Sequence, residues 1–284
     1  MGFDTRILVT GGGGQLGRAL ARVVPAAVVL GRAALDITDA AAVMAAIEMH
    51  QPSLVINGAV FTQVDAAESD PLGARAINVE GTQHLVEACE KHGANFVYVS
   101  TDYVFAGDKA GAYNEDDQTE PASVYGKTKL EGERVAAQSS RHLIVRTSWV
   151  FGDGRNFVRS ILAAAAKHDE VTVIEDQRGL PTYALDLAQG ILDLVSAGAK
   201  RIVHLAGSGP PATWADVAEE TIALAGLPAK VRRVTTAEYH SGKRSPVAPR
   251  PSNSVLDCGK AASLGVTLRP WREALAVYLK EEAI

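Results

Sequence analysis

The chain of 284 residues is 47% hydrophobic and 21% charged, with a formal net charge of −5. That balance is ordinary for a globular protein, and the acidic sign speaks against a surface built for nucleic acid. The two cysteines, Cys89 and Cys258, form no CxxC motif, so neither a disulfide framework nor a zinc site is indicated and both read as small buried apolar residues.

In chain order, RILVT (6–10) reads as a short buried strand, followed by a helix, QLGRALARVV, that stops at Pro25. AAVVLG (26–31) is a second strand, DAAAVMAAIEMH (39–50) a helix and SLVING (53–58) a third strand. A helix is expected over 74–93, with Gly93 as its C-terminal cap. NFVYVST (95–101) and HLIVRTS (142–148) are further apolar strands, on either side of a helix that contains Tyr125. After Trp149 the texture changes: a helix over 156–168, a strand running into a turn over 171–182, and one more strand, RIVHLAG (201–207). Beyond 208 come Pro and Gly turns, the helix TWADVAEETIALAG, the basic strand KVRRVTT and the loop SGKRSPVAPRPSNS. Alternation of helices with near-continuous apolar strands predicts an α/β fold, a Rossmann-type doubly wound parallel sheet covered on both faces, with a smaller C-terminal α/β substrate domain. Residues 1–151 and 182–207 are assigned to the first domain, 152–181 and 208–284 to the second.

TGGGGQLG places Gly11, Gly14 and Gly17 between the first strand and the first helix, which Gln15 and Leu16 open. In that context the backbone can approach a pyrophosphate, and the helix N-terminus supplies N–H donors and positive dipole. Dinucleotide binding is therefore expected of this loop. Arg32 stands just past the second strand, where an NAD-preferring site usually carries a carboxylate for the ribose 2′-hydroxyl. A guanidinium there suits a 2′-phosphate, which points to NADPH with NADH as the other candidate donor; a solvated surface arginine is the plainer alternative. Asp36 and Ile37 follow, in place to frame the adenine.

The fourth strand ends in Thr101–Asp102–Tyr103, at the edge where ligands sit in open α/β sheets. In EPASVYGKTKLE, Tyr125 and Lys129 lie one helical turn apart on one face. Hydride delivery to a ketone leaves an alkoxide that needs a proton. Tyr125 can donate it, with the Lys129 ammonium favouring phenolate and holding the nicotinamide ribose, and Thr101 steering the carbonyl oxygen.

TGGGGQLG, AINVEGT, STDYVF, VYGKTK, RTSWVFG and RPSNS, in this order, resemble the extended short-chain dehydrogenase/reductases and within them the dTDP-4-dehydrorhamnose reductase family. The resemblance covers essentially the whole chain. It implies that Thr101, Tyr125 and Lys129 are the catalytic triad, and that Asp102, Tyr103 and Trp149 line the sugar and nucleotide side of the pocket. Gly58, Ala59, Val60 and Thr62, in NGAVFT, fall on the segment passing under the cofactor, although the family's usual NAAA is NGAV here. Arg250 and Asn253 fall on a loop near the substrate, where Arg250 suits a diphosphate if it is not simply solvated. The implied reaction is NADPH-dependent reduction of dTDP-4-dehydro-6-deoxy-L-mannose to dTDP-L-rhamnose. Related 4,6-dehydratases carry an Asp-Glu pair after the threonine; here Tyr103 follows Asp102, so elimination lacks its second carboxyl. Some relatives bind magnesium through acidic residues at a dimer contact, but Leu185 stands where a glutamate is looked for, so no metal ligand is assigned and magnesium dependence is doubtful.

Two other readings share these motifs: an NADP-binding regulatory subunit of the methionine adenosyltransferase type, and a nucleotide-sugar epimerase. Glu115–Asp116–Asp117 reads as a solvated loop or a lid, Trp214 as a packing anchor, and Lys230, Arg232, Arg233, Lys243 and Arg244 as a basic bias that steers a diphosphate or balances the acidic first domain. The histidines show no metal-site clustering. The start, MGFDTRILVTGG, is unlike a signal peptide, and no apolar run approaches the about 20 residues of a membrane span. A cytoplasmic enzyme is expected, partnered with a nucleotide sugar and with neither nucleic acid nor membrane; a homodimer stays open.

Overall fold

The computed structural model describes residues 6–241 and 247–281; Lys243 and Arg244 lie outside them. Twelve strands are described: β1 (Ile7–Thr10), β2 (Val28–Leu30), β3 (Leu54–Asn57), β4 (Asn95–Thr101), β5 (His142–Thr147), β6 (Val150–Phe151), β7 (Glu170–Ile174), β8 (Arg178–Gly179), β9 (Thr182–Tyr183), β10 (Arg201–His204), β11 (Ala212–Thr213) and β12 (Lys230–Val234). The helices are α1 (Gln15–Val23), α2 (Ala40–His50), α3 (Val64–Ser69), α4 (Pro71–Arg75), α5 (Gly81–His92), α6 (Val124–Ala136), α7 (Phe157–Ala165), α8 (Ala184–Ser196), α9 (Trp214–Leu224), α10 (Thr236–His240), α11 (Gly259–Ser263) and α12 (Trp271–Glu281).

Six strands form one parallel sheet in the order β10-β5-β4-β3-β1-β2. Successive side chains alternate between its faces, so each apolar strand feeds two cores. Val9, Ile56, Val97 and Val145 join Leu20 of α1 and Leu187 and Ile191 of α8 on one face. Leu8, Val55, Phe96 and Ile144 meet Ile47 of α2 and Leu85 of α5 on the other. The chain runs outward from β1 to β2 and then crosses back to β3, so a crevice opens between the carboxyl ends of β1 and β3.

Beyond the main sheet the described residues form three two-stranded sheets. β12 pairs with β7 in parallel, and α7 and α9 cover the pair through Ile161, Ala165, Ala218 and Ile222. Ala261, Val266 and Leu268, in the segment assigned from sequence to the second domain, pack instead into the first core against the main sheet. The stretch expected as one helix over 74–93 is instead α4, a π-helical turn over Ala76–Glu80, and α5, which ends on Gly93 in the left-handed conformation (φ 71°). Such wide turns gather at functional sites. Here it carries Asn78, whose Oδ1 accepts from the Phe61 N–H (2.9 Å) and whose amide donates to Thr128 Oγ1 (2.9 Å). The turn thereby ties the loop after β3 to α6. Among the described residues no helix is long and apolar enough to cross a membrane.

Candidate active site

A cavity of about 300 Å³ opens at the carboxyl edge of the main sheet, between the glycine loop, the loop after β3, the end of β4 and α6. Gly11 is in the left-handed region (φ 72°), where only glycine sits without strain, and a side chain there would collide with the Gly58 carbonyl. The two loops that flank the crevice are thus in backbone contact. A Cβ on Gly17 would lie 2.5 Å from the Gly11 oxygen and 2.6 Å from the Gly12 Cα, so α1 packs directly under its own loop. The N-cap of α1 is Gly14 and no side chain caps it, which leaves first-turn N–H groups for an anion. Gly14, Gln15, Leu16 and Gly17 line the cavity, as do Gly58, Val60 and Thr62 across from them; Ala59 packs instead against the core behind. We expect Gly17→Ala to push the loop off the helix, costing about 1–3 kcal/mol of stability and about tenfold or more in NADPH affinity, read by thermal melting and fluorescence titration.

The proton-handling residues converge on the same cavity. α6 is started by Ser123, whose hydroxyl accepts from the Gly126 N–H (3.1 Å). Gly126 lets the helix touch the turn after β4, since a Cβ there would be 2.2 Å from the Tyr103 carbonyl oxygen. That approach sets the Tyr125 ring edge-on to Tyr103, with centroids 5.5 Å apart. Burial pushes the Tyr125 phenol far above its ordinary range, a hydrogen bond with Thr101 opposes the shift, and the Asp102 charge adds to it. The Thr101 hydroxyl donates to Asp102 Oδ1 (2.9 Å) and accepts from the Tyr103 N–H (3.2 Å). Lys129 is 2% exposed; its amine donates to the Val99 carbonyl (2.8 Å) and lies 3.9 Å over the Tyr98 ring. The sequence leads one to expect this ammonium to lower the Tyr125 pKa. The structure differs: burial dominates the phenol, and burial also pulls Lys129 down to about 7. Burial raises Asp102 to about 6. Asp102 Oδ2, Gln15 Oε1 and Thr147 Oγ1 are buried at this cavity without a partner among the described residues. Unanswered buried polar atoms are costly, and three around one cavity fit a polar ligand such as a dinucleotide.

A second cavity, of about 530 Å³, adjoins the first and is lined by Tyr103, Phe157, Gln177, Trp214, Asp65 and Arg250 among others. Trp149, which lines the first cavity, stacks on Trp214 at 3.6 Å and 7°, so the indole pair forms a wall between the two spaces. Trp149 holds φ at 48°, an uncommon conformation for a bulky residue. Trp214 is the packing anchor expected, stacked on Trp149 and tilted against Phe157, and it also faces the second cavity.

A family model described as the RmlD substrate binding domain matches residues 5–284. The dTDP-4-dehydrorhamnose reductase of Streptomyces griseus is 42% identical over 284 aligned residues, which span 95% of this chain and 91% of that protein. The chain belongs to the dTDP-4-dehydrorhamnose reductase family. Solved structures of the family superpose closely. The Clostridium acetobutylicum reductase, 37% identical, has a TM-score of 0.92 and covers 98% of this chain and 100% of its own. The Bacillus anthracis reductase, in complex with NADP, is 30% identical with a TM-score of 0.92 and the same coverage.

In this member of the reductase family the remaining candidate residues are held as follows, with Ile37 and Asn253 placed away from both cavities. Arg32 is largely exposed, with Nε 3.4 Å from Asp36 Oδ2. Asp36 accepts from the N–H and hydroxyl of Thr38 (3.0 and 2.8 Å), bonds that hold its carboxyl below the usual range. The Ile37 side chain does not face an adenine: it is 3% exposed in the core, pressed on Gly81. Arg250 does line the second cavity, but as a bidentate partner of Asp65 (2.9 and 2.8 Å). Asn253 lines neither cavity; its amide donates to the Lys109 and Gly111 carbonyls and accepts from the Val255 N–H, bracing a loop. Glu115 and Asp117 are likewise tied down, to the His204 N–H and to Lys109. Arg232 and Arg233 are paired with Glu170, Asp216 and Glu219. Leu185 is half-buried against two cores, and no group of His, Cys, Asp and Glu among the described residues is arranged to hold a metal.

Proposed function

We propose that the protein reduces the C4 ketone of dTDP-4-dehydro-6-deoxy-L-mannose with NADPH, giving dTDP-L-rhamnose. The observation that carries this reading is the meeting of the Tyr125 phenol, hydrogen-bonded to the strand-end Thr101, with Lys129 and an uncapped helix N-terminus at one cavity. The glycine loop with Gly58, Val60 and Thr62 would hold the dinucleotide, with the N-terminus of α1 suited to its pyrophosphate and exposed Arg32 to a 2′-phosphate. The chemistry a bound NADPH would supply is the hydride for the sugar carbonyl carbon. Thr101 orients the carbonyl oxygen, Tyr125 delivers the proton to it, and Lys129 grips the nicotinamide ribose. Asp102 closes the sugar side. The Trp149–Trp214 wall, Tyr103 and Arg250 line the side expected to take the nucleotide diphosphate. Residues 1–151 and 182–207 carry the cofactor in this reading, and 152–181 with 208–284 the nucleotide sugar. The test is to supply the 4-keto nucleotide sugar with NADPH or NADH, follow the loss of reduced-cofactor absorbance and identify the product. Stoichiometric oxidation with dTDP-L-rhamnose formed supports the reading. No oxidation, with copurification of a synthetase, points to a regulatory subunit. Recovery with tightly held NAD and interconversion of sugar epimers points to an epimerase.

A further inference from the structure

One turn beyond Lys129 on α6, Glu133 is buried with its side chain 4% exposed. Arg146 of β5, 3% exposed, grips it through both nitrogens, Nε to Oε1 at 2.9 Å and Nη2 to Oε2 at 2.7 Å. The Ser100 hydroxyl of β4, itself on the cavity lining, donates to Oε1 at 2.5 Å. Behind Arg146 stands His204, 3.4 Å away, which burial holds neutral by lowering it to about 3. A buried ion pair is a poor staple for a fold, because apolar packing of similar volume serves as well or better. Its placement beside a buried amine whose hydrogen bond goes to a backbone carbonyl suggests another use.

We propose that Glu133, clamped by Arg146 and Ser100, is a positioning residue for Lys129: it fixes the helix turn that bears the amine and supplies a negative charge that favours its protonated form at the cavity. This inference rests on the role given to Lys129 above. Burial lowers the Lys129 pKa, and the charge of Glu133 raises it in opposition. Among the other ionisable groups, Tyr98 lies beneath the amine, Asp102 and Tyr125 line the same cavity, and Arg146 is paired with Glu133.

The test is an NMR titration of the lysine side chains, with the Lys129 signal assigned by its loss in Lys129→Met, run beside kcat against pH. Glu133→Gln is expected to lower the Lys129 midpoint by about one pH unit and to move the alkaline limb of kcat with it, while Glu133→Asp stays near the parent. If Glu133→Gln leaves its partner arginine stranded and does not fold, the double variant Glu133→Gln/Arg146→Met removes both charges and is read the same way. A midpoint unmoved in the folded variant overturns the inference and leaves the pair as a staple. Full turnover by Lys129→Met would instead sink the catalytic reading, and this inference with it.

Discussion

Tyr125→Phe is expected to lower kcat by about 10²–10⁴-fold while NADPH binds with little change. The substitution removes one hydroxyl and leaves the ring, so the edge contact with Tyr103 and the packing of α6 against the turn after β4 survive. What disappears is the proton for the oxygen of the reduced carbonyl. In the structure this phenol is pushed well above its ordinary range by burial, so it is protonated throughout the neutral region and enters the cycle as an acid. A second consequence follows for the pH profile. Asp102, raised to about 6, and Lys129, lowered to about 7, are the cavity groups expected to titrate between pH 5 and 8, while Tyr125 stays protonated there. Stopped-flow reduction with a fluorescence titration of NADPH separates the two effects. Parent-like turnover by the phenylalanine variant would remove Tyr125 from the mechanism.

The parallel sheet was legible because each of its strands is apolar on both faces, a pattern set by local residue choice alone. Thr101, Tyr125 and Lys129 were legible for a related reason: a strand end and a single helical turn are short-range objects, and the structure does bring them to one edge. Other contacts were hidden because they are long-range. Arg250 looks free for a diphosphate until Asp65, 185 residues earlier, is seen holding it. Asn253 looks like a ligand until its amide is found on carbonyls more than 140 residues away. The Glu133–Arg146–Ser100 cluster joins a helix to two strands, and nothing in VYGKTKLEGE marks the glutamate as buried rather than solvated. Ile37 was misplaced because strand periodicity ends at Leu30 and the turns that follow send its side chain into the core. The π-helical turn at Asn78 hid inside a good helical pattern, since i→i+5 bonding leaves no compositional trace.

Lys129→Met is expected to disable the enzyme and yet to stabilise the fold near neutral pH. The sign follows from the folded value, about 7, lying below the ordinary lysine value of 10.5 that the unfolded chain keeps. Between those values the unfolded chain binds a proton that the folded protein does not, so the parent's stability rises with pH across that window. At and below pH 7 the parent bears the full cost of the buried ammonium, on the order of a few kcal/mol. Above about 10.5 that cost is gone. Methionine keeps the stem against Tyr98 but leaves the Val99 carbonyl without its donor, a loss of about 1–3 kcal/mol at every pH. The two stability curves therefore cross: the variant is the more stable at pH 6 to 7 and the less stable beyond pH 10. Urea denaturation at pH 6.5, 8.5 and 10.5 would trace the crossing. Parallel curves with the variant weaker throughout would mean that the amine is accommodated in the core at no cost, and that its position reflects packing rather than the demands of a ribose and a phenol.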